Sequence, residues 1–283
     1  MSSDALRFAV IGSPVAHSKS PAMHGAAFKA LGFSHGYEKL ETSAAELASR
    51  VAALRSGVFA GLNVTVPYKS DVLALVDELD PSAAALGAAN TLVRVPAGIR
   101  AHNTDAPALQ EELHALAPSP DAFVGRTAIV FGGGGAARAA LFALGRLGVG
   151  RVVMRSRRPK PELADVLAAS GSRAVLSFEP IAAPDVEPTD LCAIVQATTA
   201  GMDGASVPGD VVASAIAWAS VPSSCVVYDV VYAPPRTPLL LRAASHGLAN
   251  AGGLGMLVRQ GALAFELWLK VAPPLDVMRR ALD

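Results

Sequence analysis

The sequence predicts an α/β protein built as two domains, and three observations carry this. Its 283 residues suit two modest cores better than one. Short apolar runs alternate with longer Ala- and Leu-rich stretches, the pattern of strands joined by helices in a mostly parallel sheet. Near residue 110 the pattern restarts, leading to a strand, a cluster of glycines and another helix.

The elements follow in order. "RFAVIG" (7–12) is a continuous apolar run ending in glycine, which suits a buried parallel strand. "PAMHGAAFKALG" (21–32) predicts a helix, with Pro21 in its first turn and Gly32 just past its end. "YEKLE" predicts a strand. "SAAELASRVAALRS" predicts a helix with Ser43 and Glu46 at capping-box positions. The strand "GLNVTVP" (61–67), a helix from about Lys69 and a turn at Gly87 come next. "TLVRVPAGIRAHN" (91–103) predicts a hairpin around Pro96-Ala97-Gly98. Beyond residue 110, "TAIVFGGGGAARAALFALGRLGVGRVVMRSRR" (127–158) predicts strand, glycine loop, helix, strand and basic turn. "LCAIVQA" (191–197) and "CVVYDVVY" (225–232) predict later strands, and 253–271 a long helix. The expected division is 1–109 for the first domain and 110–252 for the second. Helices of about 253–283 are expected to return to the first.

Composition excludes several classes. Apolar residues make up 52% and charged residues 17%, enough for a core and too little charge for a disordered chain. The 24 basic and 24 acidic residues balance, with no basic stripe, so nucleic acid is not an expected partner. No apolar run approaches the ~18 residues a membrane helix needs. The first residues, "MSSDALRFAVIGSP", reach a glycine too soon for a signal peptide. Cys192 and Cys225 lie in apolar runs and are expected to be buried thiols in a reducing, cytoplasmic setting.

Gly132, Gly134 and Gly135 follow an apolar strand and open an Ala-rich helix. Without side chains they let a pyrophosphate meet the N–H groups at the helix start, where the dipole favours negative charge. A tight structural turn is the plainer reading. Rossmann folds selective for NAD place an acid ~20 residues on, where it bonds the ribose diol. Here the chain has Met154-Arg155-Ser156-Arg157-Arg158. A guanidinium grips a 2′-phosphate that an acid would repel, so NADP is the expected cofactor. A solvated basic turn is the alternative.

Three polar clusters mark the first half: "HSKSP" (17–21), "NVTVPYK" (63–69) and "ANTL…HNTD" (89–105). Strand ends in open α/β sheets are where ligands bind. Ser18, Ser20, Asn63, Thr65, Lys69, Asn90 and Asp105 suit a small anionic substrate bearing several hydroxyls. Each also has a plainer reading. Ser20 and Asp105 could be helix caps, Asn63 and Asn90 turn residues, and Lys69 a surface charge. A lysine at a helix start opposes the dipole, however, which argues against mere decoration.

"GSPVAHSKSPAMHGAAF" (12–28), "GLNVTVPYK" (61–69), "GAANTL" (87–92) and "NTD" (103–105) resemble the substrate domain of the shikimate dehydrogenase family. "GGGGAARAA" (132–140), "ATTAGM" (197–202), "YDVVYAPPRTPLL" (228–240) and "GLGMLVRQGALAFELW" (253–268) resemble its glycine loop and later blocks. The resemblance implies two α/β domains with an interdomain cleft, the second a Rossmann-type NADP-binding domain. It implies reversible, NADP-linked reduction of 3-dehydroshikimate to shikimate. By the same resemblance Lys69 and Asp105 are the catalytic pair, and Ser18 and Ser20 hold the carboxylate. Thr65, Asn90, Tyr232 and Gln260 contact substrate. The implied cofactor residues are Gly132, Gly133, Gly134, Gly135, Ala136, Arg155, Ser156, Arg157, Thr198, Gly253 and Met256.

Three positions depart from the family pattern. Met154 replaces an asparagine near the ribose, Gln196 stands at the start of the "NATSxGM" block, and Ala106-Pro107-Ala108 replaces a glycine-containing helix entry. A quinate- or NAD-preferring relative, an aminoshikimate-specific one and a non-catalytic dinucleotide sensor are the rival readings. No metal is expected, and both monomer and homodimer suit the sequence.

Overall fold

The computed structural model describes residues 5–282. Residues 1–4 and 283, at the outer limits of the expected domains, lie outside the described residues. The chain forms two compact units, which divide at Asp105/Ala106 and at Met256/Leu257. Residues 106–109 and 253–256 thus lie in the second unit. Both divisions fall inside continuous helices, where composition gives no boundary signal.

The first unit contains β1 (Arg7–Gly12), α1 (Ser20–Ala30), β2 (Gly36–Glu41), α2 (Leu47–Arg55), β3 (Gly61–Val64), β4 (Glu78–Leu79), α3 (Pro81–Leu86), β5 (Thr91–Val95) and β6 (Gly98–His102). The sheet order is β2-β1-β3-β5-β6-β4. β1 is parallel to β2 and β3, but β5 is antiparallel to both β3 and β6. β4 is parallel to β6, so β5 alone runs against the other five strands and the sheet is mostly parallel with one antiparallel strand. The reason is local: the turn at Pro96-Ala97 joins β5 to β6 directly, and so short a link permits only antiparallel pairing.

Three helix expectations change. No α-helix starts at Lys69; a 3-10 turn spans Asp71–Leu75, and the chain then returns to the sheet as β4. α2 begins at Leu47, because the Ser43 N–H and Oγ both donate to Glu46 Oε2 and close a separate turn ahead of it. Ser20 is not a cap. Lys19 holds the N-cap position of α1, and Ser20 lies in its first turn with its hydroxyl turned inward.

The core of this unit gathers Ile11, Leu62, Val64, Tyr68, Val72 and Leu92. The chain's last helices join it from residue 257 onward. Trp268 Nε1 donates to Leu92 O at 3.0 Å, and its indole lies against Gly61, where any side chain would collide with it. Phe265 packs 5.4 Å from Phe28, and Lys19 Nζ donates to Leu282 O at 2.9 Å.

The second unit holds most of α4 (Asp105–Leu116), then β7 (Thr127–Phe131), α5 (Gly135–Arg146), β8 (Arg151–Arg155), α6 (Leu163–Ala169), β9 (Val175–Glu179), β10 (Leu191–Gln196), α7 (Asp210–Ala213), β11 (Val226–Asp229), α8 (Pro238–Ser245), β12 (Asn250–Gly252) and the start of α9 (Leu254–Leu269). After α9 the chain ends in α10 (Leu275–Arg280), which belongs to the first unit. The second sheet runs β12-β11-β10-β7-β8-β9 with every pair parallel. This is the doubly wound dinucleotide-binding order, and it reverses between β7 and β10. Its three central strands, β10, β7 and β8, are buried almost throughout, as a sheet covered on both faces requires.

Candidate active site

Lys69 follows the turn that ends β3, and three contacts hold it there. Its carbonyl accepts from Ala89 N at 2.7 Å. Tyr68, just before it, buries its ring in the core. The turn itself presses on β1: Ser13 N donates to Val66 O at 2.9 Å. Gly12 makes this approach possible, since a Cβ there would lie 2.7 Å from Val66 O and collide with the Thr65 methyl. The proline-tyrosine turn thus fixes the backbone from which Lys69 projects.

Lys69 Nζ donates to Asp105 Oδ2 at 2.7 Å, with the lysine side chain 19% exposed and the aspartate side chain 7%. Asp105 is the first residue of α4. Its N–H donates to Asn103 Oδ1 at 3.0 Å, and its carboxylate turns to the lysine and to Asn90. Asn90 Nδ2 has acceptors in Asp105 Oδ1 (2.9 Å), Thr104 Oγ1 (2.9 Å) and Gln260 Oε1 (3.2 Å). Asn90 Oδ1 accepts from Thr104 N at 2.8 Å. Gln260, on α9, steadies its own amide by donating to Leu257 O at 2.8 Å.

The network extends to the serines. Asn63 Nδ2 donates to Asn90 O at 3.0 Å, and Asn63 Oδ1 accepts from Tyr37 Oη at 2.6 Å. The Tyr37 hydroxyl also bonds Ser20; burial pushes its pKa up and the serine bond opposes that. Ser18 Oγ accepts from Ser20 N at 3.3 Å. The first unit thus links Ser18, Ser20, Asn90, Lys69, Asp105 and Gln260 in one hydrogen-bonded system. Thr65 lies half-buried two residues before Pro67. Sequence reasoning missed Tyr37, Asn103 and Thr104. Tyr37 stands on an edge strand with no motif around it. Asn103 did carry a signal, an Asx residue two positions before a helix start.

Tyr232 lies in the second unit, on the loop after β11. Asp229 organises this loop, accepting from Val231 N at 2.9 Å and Thr237 Oγ1 at 2.7 Å. Burial pushes the Asp229 carboxyl up to about 6, against the pull of those two bonds.

The glycine loop follows β7. Gly132 has φ +112°, in the region where glycine is favoured, and a Cβ there would lie 2.9 Å from Ala197 O. Gly134 is the N-cap of α5 with no side-chain cap, and a Cβ on it would meet nothing within 4 Å. Uncapped N–H groups beside open space fit a cofactor pyrophosphate. Gly133, Gly135 and Ala136 complete this turn. Thr198 caps its own turn by accepting from Ala200 N at 3.0 Å, Gly253 packs on Val230 O, and Met256 N donates to Tyr228 Oη at 3.3 Å.

Arg155 does not face this loop as a free cation. It is 1% exposed. Nη1 and Nη2 donate to Glu187 Oε1 and Oε2 at 2.9 and 2.7 Å, Nη1 also donates to Ala215 O at 2.9 Å, and Nε lies 3.3 Å from Glu179 Oε2. Arg155 is therefore a buried structural cation. Ser156 is half-buried and bonds Arg158 O at 2.8 Å, while Arg157 is exposed. Met154, where the family has asparagine, is fully buried.

Known proteins resemble this chain in both sequence and fold. Residues 10–92 match the shikimate dehydrogenase substrate binding domain, and residues 253–282 the shikimate 5′-dehydrogenase C-terminal domain. The chain is 38% identical to a shikimate dehydrogenase (NADP(+)) of Citrifermentans bemidjiense, over 96% of this chain and 93% of that one. It superposes on the Thermus thermophilus shikimate 5-dehydrogenase, solved with NADP(H) and shikimate, with a TM-score of 0.78, 36% identity and 98% coverage of both chains. Against the Corynebacterium glutamicum quinate dehydrogenase solved with NAD, the TM-score is 0.82 at 30% identity, with 98% of both chains covered. With more than a third of its residues identical across nearly the whole length of such a relative, the chain belongs to the shikimate dehydrogenase family.

Proposed function

We propose that this chain catalyses the reversible, NADP-linked reduction of 3-dehydroshikimate to shikimate, a step of aromatic amino acid biosynthesis. The observation that carries the reading is the 2.7 Å contact between Lys69 and Asp105, anchored through Asn90 to Gln260, in a chain of this family. Binding alone does not need such a pair, so the sensor reading is not favoured.

NADP supplies the hydride chemistry when bound, and the chain supplies position and a proton. In reduction, the Lys69 ammonium stabilises the charge that grows on the carbonyl oxygen and donates its proton there. In oxidation, the neutral amine accepts the alcohol proton. Asp105 holds the amine and accepts a substrate hydroxyl. Asn90 has two N–H bonds for three acceptors, so one acceptor is left in part for the substrate. Ser18 and Ser20 receive the carboxylate, and Thr65, Gln260 and Tyr232 contact the ring hydroxyls. Gly132, Gly133, Gly134, Gly135 and Ala136 take the pyrophosphate. Ser156 and Arg157 lie towards the adenosine ribose, and Thr198, Gly253 and Met256 complete the cofactor set. No metal enters this scheme.

The chain is proposed to work in the cytoplasm, as a monomer or homodimer. Both free cysteines are buried, and burial pushes the Cys192 thiol up to about 12, which leaves it inert. No helix among the described residues is long and apolar enough to cross a membrane. The direct test offers purified protein NADP+ or NAD+ with shikimate and then quinate, and follows nicotinamide absorbance. The highest kcat/KM is expected for shikimate with NADP+. A higher value for quinate or for NAD+ would overturn the substrate or the cofactor assignment respectively.

A further inference from the structure

Asp229 ends β11 with its carboxylate buried, and the two donors it accepts stand at the two ends of one loop. Oδ1 takes the N–H of Val231, two residues on, at 2.9 Å. Oδ2 takes the hydroxyl of Thr237 at 2.7 Å. Thr237 is the N-cap of α8 and accepts in turn from Leu240 N at 3.4 Å, so its single proton is committed to Asp229. One carboxylate thus ties the start of the segment 230–236 to the helix that follows it. Between these feet the segment has no regular structure, and it carries Tyr232. Neighbouring backbone braces it: Val230 N donates to Gln196 O at 3.0 Å, Gly253 N to Val231 O at 3.1 Å and Asp203 N to Ala233 O at 2.9 Å. Val230 O also presses on Gly253, where any side chain would collide with it. Only burial acts on the Tyr232 phenol, raising its pKa. The loop backbone, rather than a hydrogen bond, therefore aims that ring.

We propose that Asp229 is a positioning residue: by closing the loop 230–236 at its foot it sets the place of Tyr232, and through Tyr232 the affinity for substrate. This deepens the functional reading and rests on it, since that reading puts Tyr232 against a ring hydroxyl. The clamp suits an ionised carboxylate, which offers one acceptor oxygen to each donor; protonation turns an acceptor into a donor and weakens one of the two bonds. Its neighbours along the row of strand ends are neutral. Gln196 on β10 and Gly252 on β12 pair with it, and Thr237 faces it from α8. Gln196 spends its own amide on Thr198 N and Ala200 O. On the loop itself the Tyr232 phenol is neutral and Arg236 is exposed. Among the described residues no charged group stabilises the carboxylate, and burial holds its pKa up at about 6. The clamp is therefore closed above that pH and loosens as the pH falls through it.

The test compares the parent with Asp229→Asn and Thr237→Val, each checked by thermal unfolding. Asparagine keeps the size and still accepts from Val231 N, but presents an N–H where the Thr237 hydroxyl needs an acceptor. Without any ligand, amide hydrogen exchange across 230–236 is expected to quicken in both variants; unchanged exchange would overturn the clamp. In steady-state assays both are expected to raise KM for shikimate about tenfold, with kcat within about threefold of the parent. The parent's KM should rise below about pH 6, and that of Asp229→Asn should not. In a Tyr232→Phe background Asp229→Asn should add less than about twofold, because the two act through one contact. A full rise of about tenfold in that background, or parental KM in both variants, would overturn the proposal. If Asp229→Asn fails to fold, Thr237→Val decides on the same terms. A parent that turns over no shikimate, while exchange responds as expected, would instead overturn the functional reading and with it the link to substrate, but not the clamp.

Discussion

Asn90 sets the orientation of Asp105: its Nδ2 donates to Oδ1 at 2.9 Å, which turns Oδ2 to Lys69 Nζ at 2.7 Å. A side chain from the β3–β5 segment of the sheet thus aims a carboxylate at the start of α4. Asp105→Asn keeps the size of the side chain and its place in the helix, but brings two amides face to face and removes the charge beside the lysine. It is expected to lower kcat by about 10²-fold or more, with NADP+ affinity within about twofold. Steady-state kinetics with cofactor titration tests this; an unchanged kcat would reduce Asp105 to a structural residue.

Gly12 and Val66 are in contact through the backbone, so Gly12→Ala cannot be accommodated without moving the turn that carries Lys69. The variant is expected to lose about 1–3 kcal/mol of stability and to raise KM for shikimate. Urea unfolding and kinetics on the same sample measure both. A stable variant with parental KM would show that the turn tolerates displacement.

Arg155→Ala leaves Glu187 buried without its partner and is expected to cost about 3–5 kcal/mol. Arg155→Met combined with Glu187→Met removes both charges and should cost less than the single change. Denaturant unfolding of the two proteins compares them. A mild effect of the single variant would mean that water reaches Glu187.

His24 supplies a pH test. Its ring is fully buried, stacked 4.5 Å from Tyr37, and among the described residues neither nitrogen has a hydrogen-bond partner. Burial lowers its pKa from 6.5 to about 3. Between those values the unfolded chain binds a proton that the folded chain does not, so this residue makes stability fall as pH drops below about 6.5. Above that pH its contribution is level. His24→Phe is expected to lose this part of the acid sensitivity, seen as a shallower fall in unfolding free energy between pH 7 and pH 4. An identical slope in both proteins would refute the assignment.

The sequence was most legible where physics is local. β1, β7, β10 and β11 are uninterrupted apolar runs because they lie inside covered sheets, and the glycine loop shows as a cluster of residues without side chains. β9 and β12 were missed: β9 is an edge strand whose Val175 is exposed, and β12 has only three residues. The candidate site was legible as polar residues at strand ends and as a family resemblance, yet its wiring was not. Arg155 read as a cofactor ligand because its partner, Glu187, lies 32 residues away in an irregular segment with no pattern linking the two. Tyr37 joins Ser20 to Asn63 only once β2 has paired with β1. Such contacts depend on tertiary pairing, and periodicity cannot show them.

The central claim is that Lys69 moves the proton. The most direct measurement is kcat for shikimate oxidation by Lys69→Met, alongside its thermal unfolding and its affinity for NADP+. A folded protein with near-parental NADP+ affinity and kcat lower by about 10²–10⁴-fold is expected. A kcat within a few-fold of the parent would contradict the account.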